Sequence, residues 1–276
     1  MDGNAAKNII VVKVGTSTLT HEGGKLNFRS FDALARVLSD INNMGNEVVL
    51  VSSGAIAVGA GKLQMKERPT ILSQKQAAAA VGQCELMHLY DKFFGEYGKT
   101  VAQILLTGED VDSPEKKQNL INTFTSLLEM GIIPIVNEND SVSYAEIEAD
   151  NEEHKVFGDN DTLSAVVAVL CSADKLVLLS DIDGLYDANP NENHEARLIR
   201  EVRVIDDEIR SLAGGAGSNR GTGGMITKLQ AAELATENGV DMYIANGSTP
   251  EILYDIVLGR PAGTLFVGKR ARNDRA

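Results

Sequence analysis

The 276 residues carry 39 acidic against 26 basic side chains, a formal charge of −13, with 43% hydrophobic and 24% charged residues. This is the balance of a globular chain long enough to bury its own core, which excludes fibrous and disordered proteins. It also excludes a general nucleic-acid binder, which needs a basic face to displace counterions, but not an anionic small substrate, because a few lysines in a cleft reverse the sign locally.

From the N-terminus, MDGNAAKNII has no basic segment followed by an apolar run and a cleavage site, and no apolar run approaches the ~18 residues of a membrane span. The expectation is a cytoplasmic protein with no membrane partner. Short Val- and Ile-rich runs at 9–14, 47–51, 101–106, 132–136, 175–179, 241–245 and 264–267 read as strands covered on both faces. Helical patterns fall between them at 29–43, 73–97, 115–130, 161–170, 225–237 and 250–258. Ser113-Pro114-Glu115 opens one helix with a cap and a proline, and Gly131 and Gly239 close two others. The alternation predicts an α/β fold: an open, mainly parallel sheet sandwiched between helices, in one domain over residues 1–276. A lobe boundary is expected near Leu170–Asp174, with a sheet that runs through it as the alternative. Cys84 and Cys171 lie far apart with no C-x-x-C pairing and are expected as buried or half-buried thiols.

In an open α/β sheet, ligands bind beyond the carboxyl ends of the strands. There the sequence places Lys13 and Gly15-Thr16-Ser17-Thr18, then Ser52-Ser53-Gly54-Ala55, Asn137-Glu138-Asn139-Asp140, and Ser180-Asp181-Ile182-Asp183-Gly184. Small and glycine-rich ends expose backbone N–H groups that suit phosphate or carboxylate. Lys13 stands out, because a lysine between Val12 and Val14 in a buried strand must reach a cleft or an opposite charge. An edge strand whose lysine snorkels to water is the plain alternative.

Gly221-Thr222-Gly223-Gly224-Met225-Ile226-Thr227-Lys228 is a second anion-binding pattern. It is no Walker motif, because Leu229 follows Lys228, and the preceding 215–220 lacks the last glycine of a dinucleotide fingerprint. Gly158-Asp159-Asn160-Asp161 precedes a helix, which one of its side chains should cap, leaving others for a ligand. Asp181 and Asp183 lack the spacing of a calcium loop, and the four histidines lack ligand spacing, so no metal site is assigned to protein side chains. No G-x-S-x-G elbow is present.

Lys13-Val14-Gly15-Thr16-Ser17, Ser53-Gly54-Ala55-Ile56-Ala57, Asn137-Glu138-Asn139-Asp140, Gly158-Asp159-Asn160-Asp161, Ser180-Asp181 and Gly223–Lys228 occur in this order. With these motifs the sequence resembles the glutamate 5-kinases, a branch of the amino acid kinase family, over about residues 8–268. The resemblance implies ATP-dependent phosphorylation of the side-chain carboxylate of L-glutamate, opening proline biosynthesis, with Mg²⁺ bridging the phosphates. It implies an amino-acid-binding lobe over about 1–172 and a nucleotide-binding lobe over about 173–276. Lys13, Lys228 and Asp161 would be catalytic, with Asp161 holding the two lysines. Lys13, Gly15, Ser180, Asp181 and the run Thr222, Gly223, Gly224, Met225, Ile226, Thr227, Lys228 would line the ATP site. Ser53, Gly54, Ala55, Asn137, Asp140 and Asn160 would bind glutamate. A homo-oligomer, dimer or tetramer, is expected. Many members add a C-terminal PUA domain; this sequence is read as the short, kinase-only form. The acidic segment 145–155 looks longer than the expected linker and would lie near the glutamate pocket, which leaves substrate affinity and inhibition by L-proline open; a solvated loop elongation without effect is the plain alternative. The rival readings are a sister kinase with another acceptor and a non-catalytic amino-acid- or nucleotide-binding regulator.

Overall fold

The computed structural model describes residues 7–21, 25–142, 159–190, 192–213 and 224–269. Among these, eight strands form one sheet: β1 (Ile9–Val14), β2 (Glu47–Ser52), β3 (Val101–Leu106), β4 (Ile133–Glu138), β5 (Lys175–Ser180), β6 (Glu201–Val202), β7 (Asp241–Asn246) and β8 (Thr264–Phe266). Their order is β3-β4-β2-β1-β5-β7-β8-β6, parallel throughout except for the antiparallel β7–β8 pair. Hydrogen bonds run unbroken from β2 through β1 to β5, so one sheet spans the expected lobe boundary.

Ten helices accompany the sheet among the described residues: α1 (Thr16–Leu19), α2 (Phe28–Asn43), α3 (Ala55–Lys62), α4 (Leu72–Glu96), α5 (Gly108–Asp112), α6 (Pro114–Glu129), α7 (Asn160–Leu170), α8 (Asp207–Ala213), α9 (Met225–Glu237) and α10 (Ile252–Val257). The expected strands and long helices are present within a few residues at each end. Short α1, α3, α5 and α8 and two-residue β6 are additional.

The period-2 alternation of the strands divides the core into two layers. Ile10, Val12 and Val14 of β1 join Leu34 and Leu38 of α2 and Leu86 and Tyr90 of α4 on one face. Val11 of β1 joins Leu163 and Val167 of α7 and Leu229 and Ala232 of α9 on the other. Lys13 has the parity of Val11, so its side chain is directed to the α7–α9 layer. β1 lies fourth of eight strands, bonded on both sides, which removes the edge-strand alternative.

On the opposite layer, α3 and α4 cross closely through glycines. A Cβ built at Gly82 would collide with the carbonyl oxygen of Ala55, and one at Gly59 with that of Ala78. Only hydrogen at those two positions lets the two helix backbones touch. Buried Tyr90 of α4 pairs its hydroxyl with Ser52 Oγ at 2.8 Å, fastening α4 to the end of β2. Burial, only partly offset by that hydrogen bond, pushes the Tyr90 hydroxyl above the ordinary phenol range.

Cys171 is buried, and burial pushes its thiol up to about 12. Cys84 departs from the expectation of at least half-burial: it is exposed on α4, beside residues that face the core. No helix among the described residues is long and apolar enough to cross a membrane.

Candidate active site

The strand ends converge on the N-terminus of α7. Asp159 caps that helix, its Oδ1 accepting from the backbone N–H groups of Asp161 and Thr162 at 3.1 and 3.0 Å. Of the three polar residues before and within the first turn, one therefore serves the helix and the next two are turned to other partners. An acidic residue in the first turn also sits well against the positive end of the helix dipole.

Asp161 is 1% exposed and lies between two ammonium groups. Lys13 Nζ stands 2.6 Å from its Oδ1, and Lys228 Nζ donates to its Oδ2 at 2.9 Å. Thr227 Oγ1 stands 3.3 Å from the same Oδ2, a second and weaker acceptor for its one hydrogen beside the Gly224 carbonyl. The Lys13 contact is an ion pair in character, because Oδ1 receives no well-directed hydrogen bond. The three residues come from β1, α7 and α9, at separations of 148 and 67 positions that no local spacing reveals. Two cations meet at this carboxylate on the sheet's carboxyl edge, an arrangement that suits phosphate oxygens. Burial pushes the Asp161 carboxyl up, but the charges of Lys13 and Lys228 and the short contacts both ammonium groups make with it outweigh that and hold the group below the usual carboxylate range.

That direction fixes a pH dependence. The folded carboxyl binds its proton more weakly than the unfolded one, so its stabilising contribution is complete above the ordinary value near ~3.9 and is lost as pH falls through the lower folded value. Asp161→Asn removes the charge that both buried ammonium groups contact, which costs about 3 kcal/mol of stability at neutral pH. The gap in thermal midpoint between the wild type and Asp161→Asn should be flat from about pH 5 to 8 and narrow below about pH 4. A gap that instead changed between pH 6 and 8 would assign the titration to another group.

One residue before Asp161, Asn160 makes a different set of contacts. Its Nδ2 donates to Ser53 Oγ at 2.7 Å, to the Ser52 carbonyl at 3.1 Å and, more weakly, to Asn137 Oδ1 at 3.3 Å. Gly54 follows with φ +95° and ψ 7°, the left-handed conformation, and starts α3 at Ala55. A Cβ at residue 54 would also press on Thr16, 3.3 Å from its Cγ2. Asp140 lies half-buried in the turn after β4. The structure thus brings Ser53, Asn137 and Asn160 into contact and sets Gly54, Ala55 and Asp140 alongside them in the chain.

On the other flank, the space in front of Gly15 is bounded by charge: a Cβ there would stand 3.9 Å from Lys13 Nζ. Gly224 caps α9, and its carbonyl accepts from Thr227 Oγ1 at 2.8 Å. Met225 is half-buried and Ile226 exposed. Ser180 ends β5 and donates to Asp181 Oδ1 at 3.1 Å. Thr222 and Gly223, like Gly158 and the acidic segment 145–155, lie outside the described residues.

Two groups near this flank escaped the sequence reading. Asn246, paired with Ser180 across β5 and β7, donates to Asp183 Oδ1 at 2.8 Å. Gly247 follows, and a Cβ there would come within 3.3 Å of Thr18 Oγ1. The signal was available in Asn246-Gly247-Ser248, a small polar turn at another strand end. Among the described residues no group of three or more His, Cys, Asp or Glu side chains is placed to hold a metal ion. A cleft of about 680 Å³ lined by Asn8, Ser172, Asp174 and Gly239 lies at the opposite, amino edge of the strands, remote from these side chains.

The model of the amino acid kinase family matches residues 8–246. The glutamate 5-kinase of Clostridium perfringens is 58% identical over 261 residues, 95% of this chain and 96% of that protein. Those of Clostridium acetobutylicum and Listeria innocua are 55% and 52% identical over 95% of this chain, and 95% and 93% of their own length is covered. Among solved structures, carbamate kinase from Giardia lamblia bound to AMP-PNP superposes with a TM-score of 0.68 at 16% identity, covering 96% of this chain and 99% of that one. Isopentenyl phosphate kinase from T. acidophilum gives 0.62 at 18%, covering 94% and 99%. At these identities the structural likeness carries the fold.

Proposed function

The chain belongs to the amino acid kinase family, at its glutamate 5-kinase branch, and from that premise we propose that Lys13, Asp161 and Lys228 drive transfer of the ATP γ-phosphoryl group to the side-chain carboxylate of L-glutamate. The observation that carries the reading is the buried Lys13–Asp161–Lys228 triad, joined through consecutive residues 160 and 161 to the Ser53–Asn137–Asn160 cluster.

The acceptor carboxylate is already ionised at neutral pH, so the reaction needs no general base. An oxygen of that carboxylate bonds to the γ-phosphorus while the bond to the β–γ bridging oxygen breaks, giving an acyl phosphate and ADP. Charge spreads over the equatorial and leaving oxygens as this happens, and catalysis consists of alignment and positive charge. Lys13 from β1 and Lys228 from α9 supply that charge, and Asp161 fixes both ammonium groups before the nucleotide arrives, so little reorganisation remains. The backbone N–H groups of Gly15 and Gly224 add donors. A magnesium ion carried in with the nucleotide would supply further positive charge to the phosphates, beside that of Lys13 and Lys228. Ser180 and Asp181 border the nucleotide. Ser53 and Asn160 hold the amino acid, and the carboxylate of Asp140 suits its α-ammonium. The same reading extends to a homo-oligomer in the cytoplasm and to L-proline as an inhibitor, to be read by light scattering and by adding proline to the assay below.

Hydroxylamine traps an acyl phosphate as a hydroxamate. With ATP and Mg²⁺ the protein should yield hydroxamate from L-glutamate and little from L-aspartate or N-acetylglutamate. Signal with another acceptor would keep the triad and move the substrate. Absence of signal with all three, with ATP still bound, would point to a regulator.

A further inference from the structure

Gln83 belongs to no motif of the sequence reading, yet it is 8% exposed in α4 and tied to the acceptor cluster from below. Its Oε1 accepts from Asn137 Nδ2 at 3.0 Å. Asn137, 2% exposed, accepts on Oδ1 from the backbone N–H of Glu138 at 2.9 Å and from Asn160 Nδ2 at 3.3 Å. Asn160 in turn donates to Ser53 Oγ at 2.7 Å.

Each step of this chain has a direction. The Glu138 N–H requires an oxygen at Asn137 Oδ1, which leaves Asn137 Nδ2 as a buried donor that needs an acceptor. Gln83 Oε1 is that acceptor. With Asn137 so oriented, its oxygen meets the Asn160 amide nitrogen, whose hydrogens are directed mainly to Ser53 Oγ at 2.7 Å and the Ser52 carbonyl at 3.1 Å. A hydroxyl oxygen that accepts keeps its own hydrogen for another partner, so Ser53 is set as a donor towards a ligand oxygen. Asn160 Oδ1 is left as an acceptor, suited to an ammonium.

We propose that Gln83 is a positioning residue of the acceptor site: from the α4 layer it satisfies the buried Asn137 amide and so steadies the Asn137–Asn160–Ser53 chain, whose polarity the Glu138 N–H and the Ser52 carbonyl also set, so that the site presents a donor hydroxyl and an acceptor amide to an amino-acid substrate. This rests on the function proposed above. Without the Gln83 oxygen, Asn137 Nδ2 is a buried donor with nothing to bond, and the amide gains by turning away. Gln83 touches neither lysine of the triad, so the nucleotide side should not feel the change.

The test is a split between substrates, read by hydroxamate formation. Gln83→Met keeps the volume and removes the amide oxygen; it should raise the KM for L-glutamate by about 10-fold, the scale of an unpaired buried donor. The KM for ATP should stay within about 2-fold. Gln83→Glu, which keeps an acceptor oxygen, should recover most of the lost affinity. An unchanged glutamate KM in Gln83→Met, an equal rise for both substrates, or no recovery in Gln83→Glu would each overturn the proposal. If Gln83→Met does not fold, Gln83→Ala, which only removes atoms, is read in the same way. If the wild type forms hydroxamate from another acceptor, the function proposed above falls, and the Gln83 split is measured with that acceptor. Calorimetric titration of wild type and variants with L-glutamate reads the same difference in affinity without turnover.

Discussion

Replacing Lys228 or Lys13 with alanine is expected to lower turnover at least ~100-fold, the scale of losing one preorganised contact to transition-state charge. The structure also says how the fold should respond. Asp161 contacts both ammonium groups, so either single replacement still leaves one lysine paired with it, Lys13 at 2.6 Å or Lys228 at 2.9 Å. Thermal midpoints should fall by only a few degrees, and the loss should lie in kcat more than in the KM for glutamate, because neither lysine joins the Ser53–Asn137–Asn160 cluster. Near-normal turnover in either variant would remove the triad from the mechanism. A variant that lost activity only because it no longer folded would show a collapsed midpoint, which the remaining pair argues against.

The second large effect is structural and lies on the opposite layer. Gly82→Ala places a methyl group on the Ala55 carbonyl, backbone against backbone, where no side-chain rotation relieves the contact. Overpacking of this kind costs about 3 kcal/mol, which corresponds to a fall in thermal midpoint of roughly 6–10 °C. Cys84→Ala, exposed two residues along the same helix, serves as the control and should change the midpoint by at most a degree or two. An unshifted Gly82→Ala midpoint would mean that α3 and α4 separate freely. The consequence for the site is direct, because α3 begins at Ala55, immediately after Ser53 and Gly54, so parting the two helices displaces the acceptor side before it touches the lysines.

The strands and long helices were legible because each is a repeating pattern. A run such as IIVVKV admits one reading, and its single lysine marked β1 as exceptional. The parity that sends Lys13 towards α7 and α9 is likewise a property of the strand itself. What the sequence hid was of two kinds. Helix α3, AIAVGAGK, holds glycines that weaken a helix taken alone, and no helical pattern marks it in the sequence. Gly59 is there because another backbone leans on it, a reason that exists only in the folded molecule. The site contacts were hidden by distance: nothing local joins Lys13 to Asp161, and the expectation that they meet came from resemblance. Gln83 was missed for the opposite reason. It sits in a run of alanines and core residues where one more buried position draws no notice, and its polarity matters only because Asn137 lies above it.

Residues 160 and 161 are neighbours in the chain, and between them they hold the two halves of the site: Asn160 grips the acceptor cluster and Asp161 the lysine pair. On the function proposed above, one trans peptide, ~3.8 Å between α-carbons, would be the ruler that sets nucleophile against phosphoryl group. A ruler of covalent bonds neither stretches with temperature nor depends on how a loop settles. Tremor of α7 carries both readings together and leaves their difference unchanged. It also separates two kinds of alteration: exchanging side chains around Asn160 can retune which acceptor is held, whereas inserting or deleting a residue at this step would spoil the measurement for every acceptor alike.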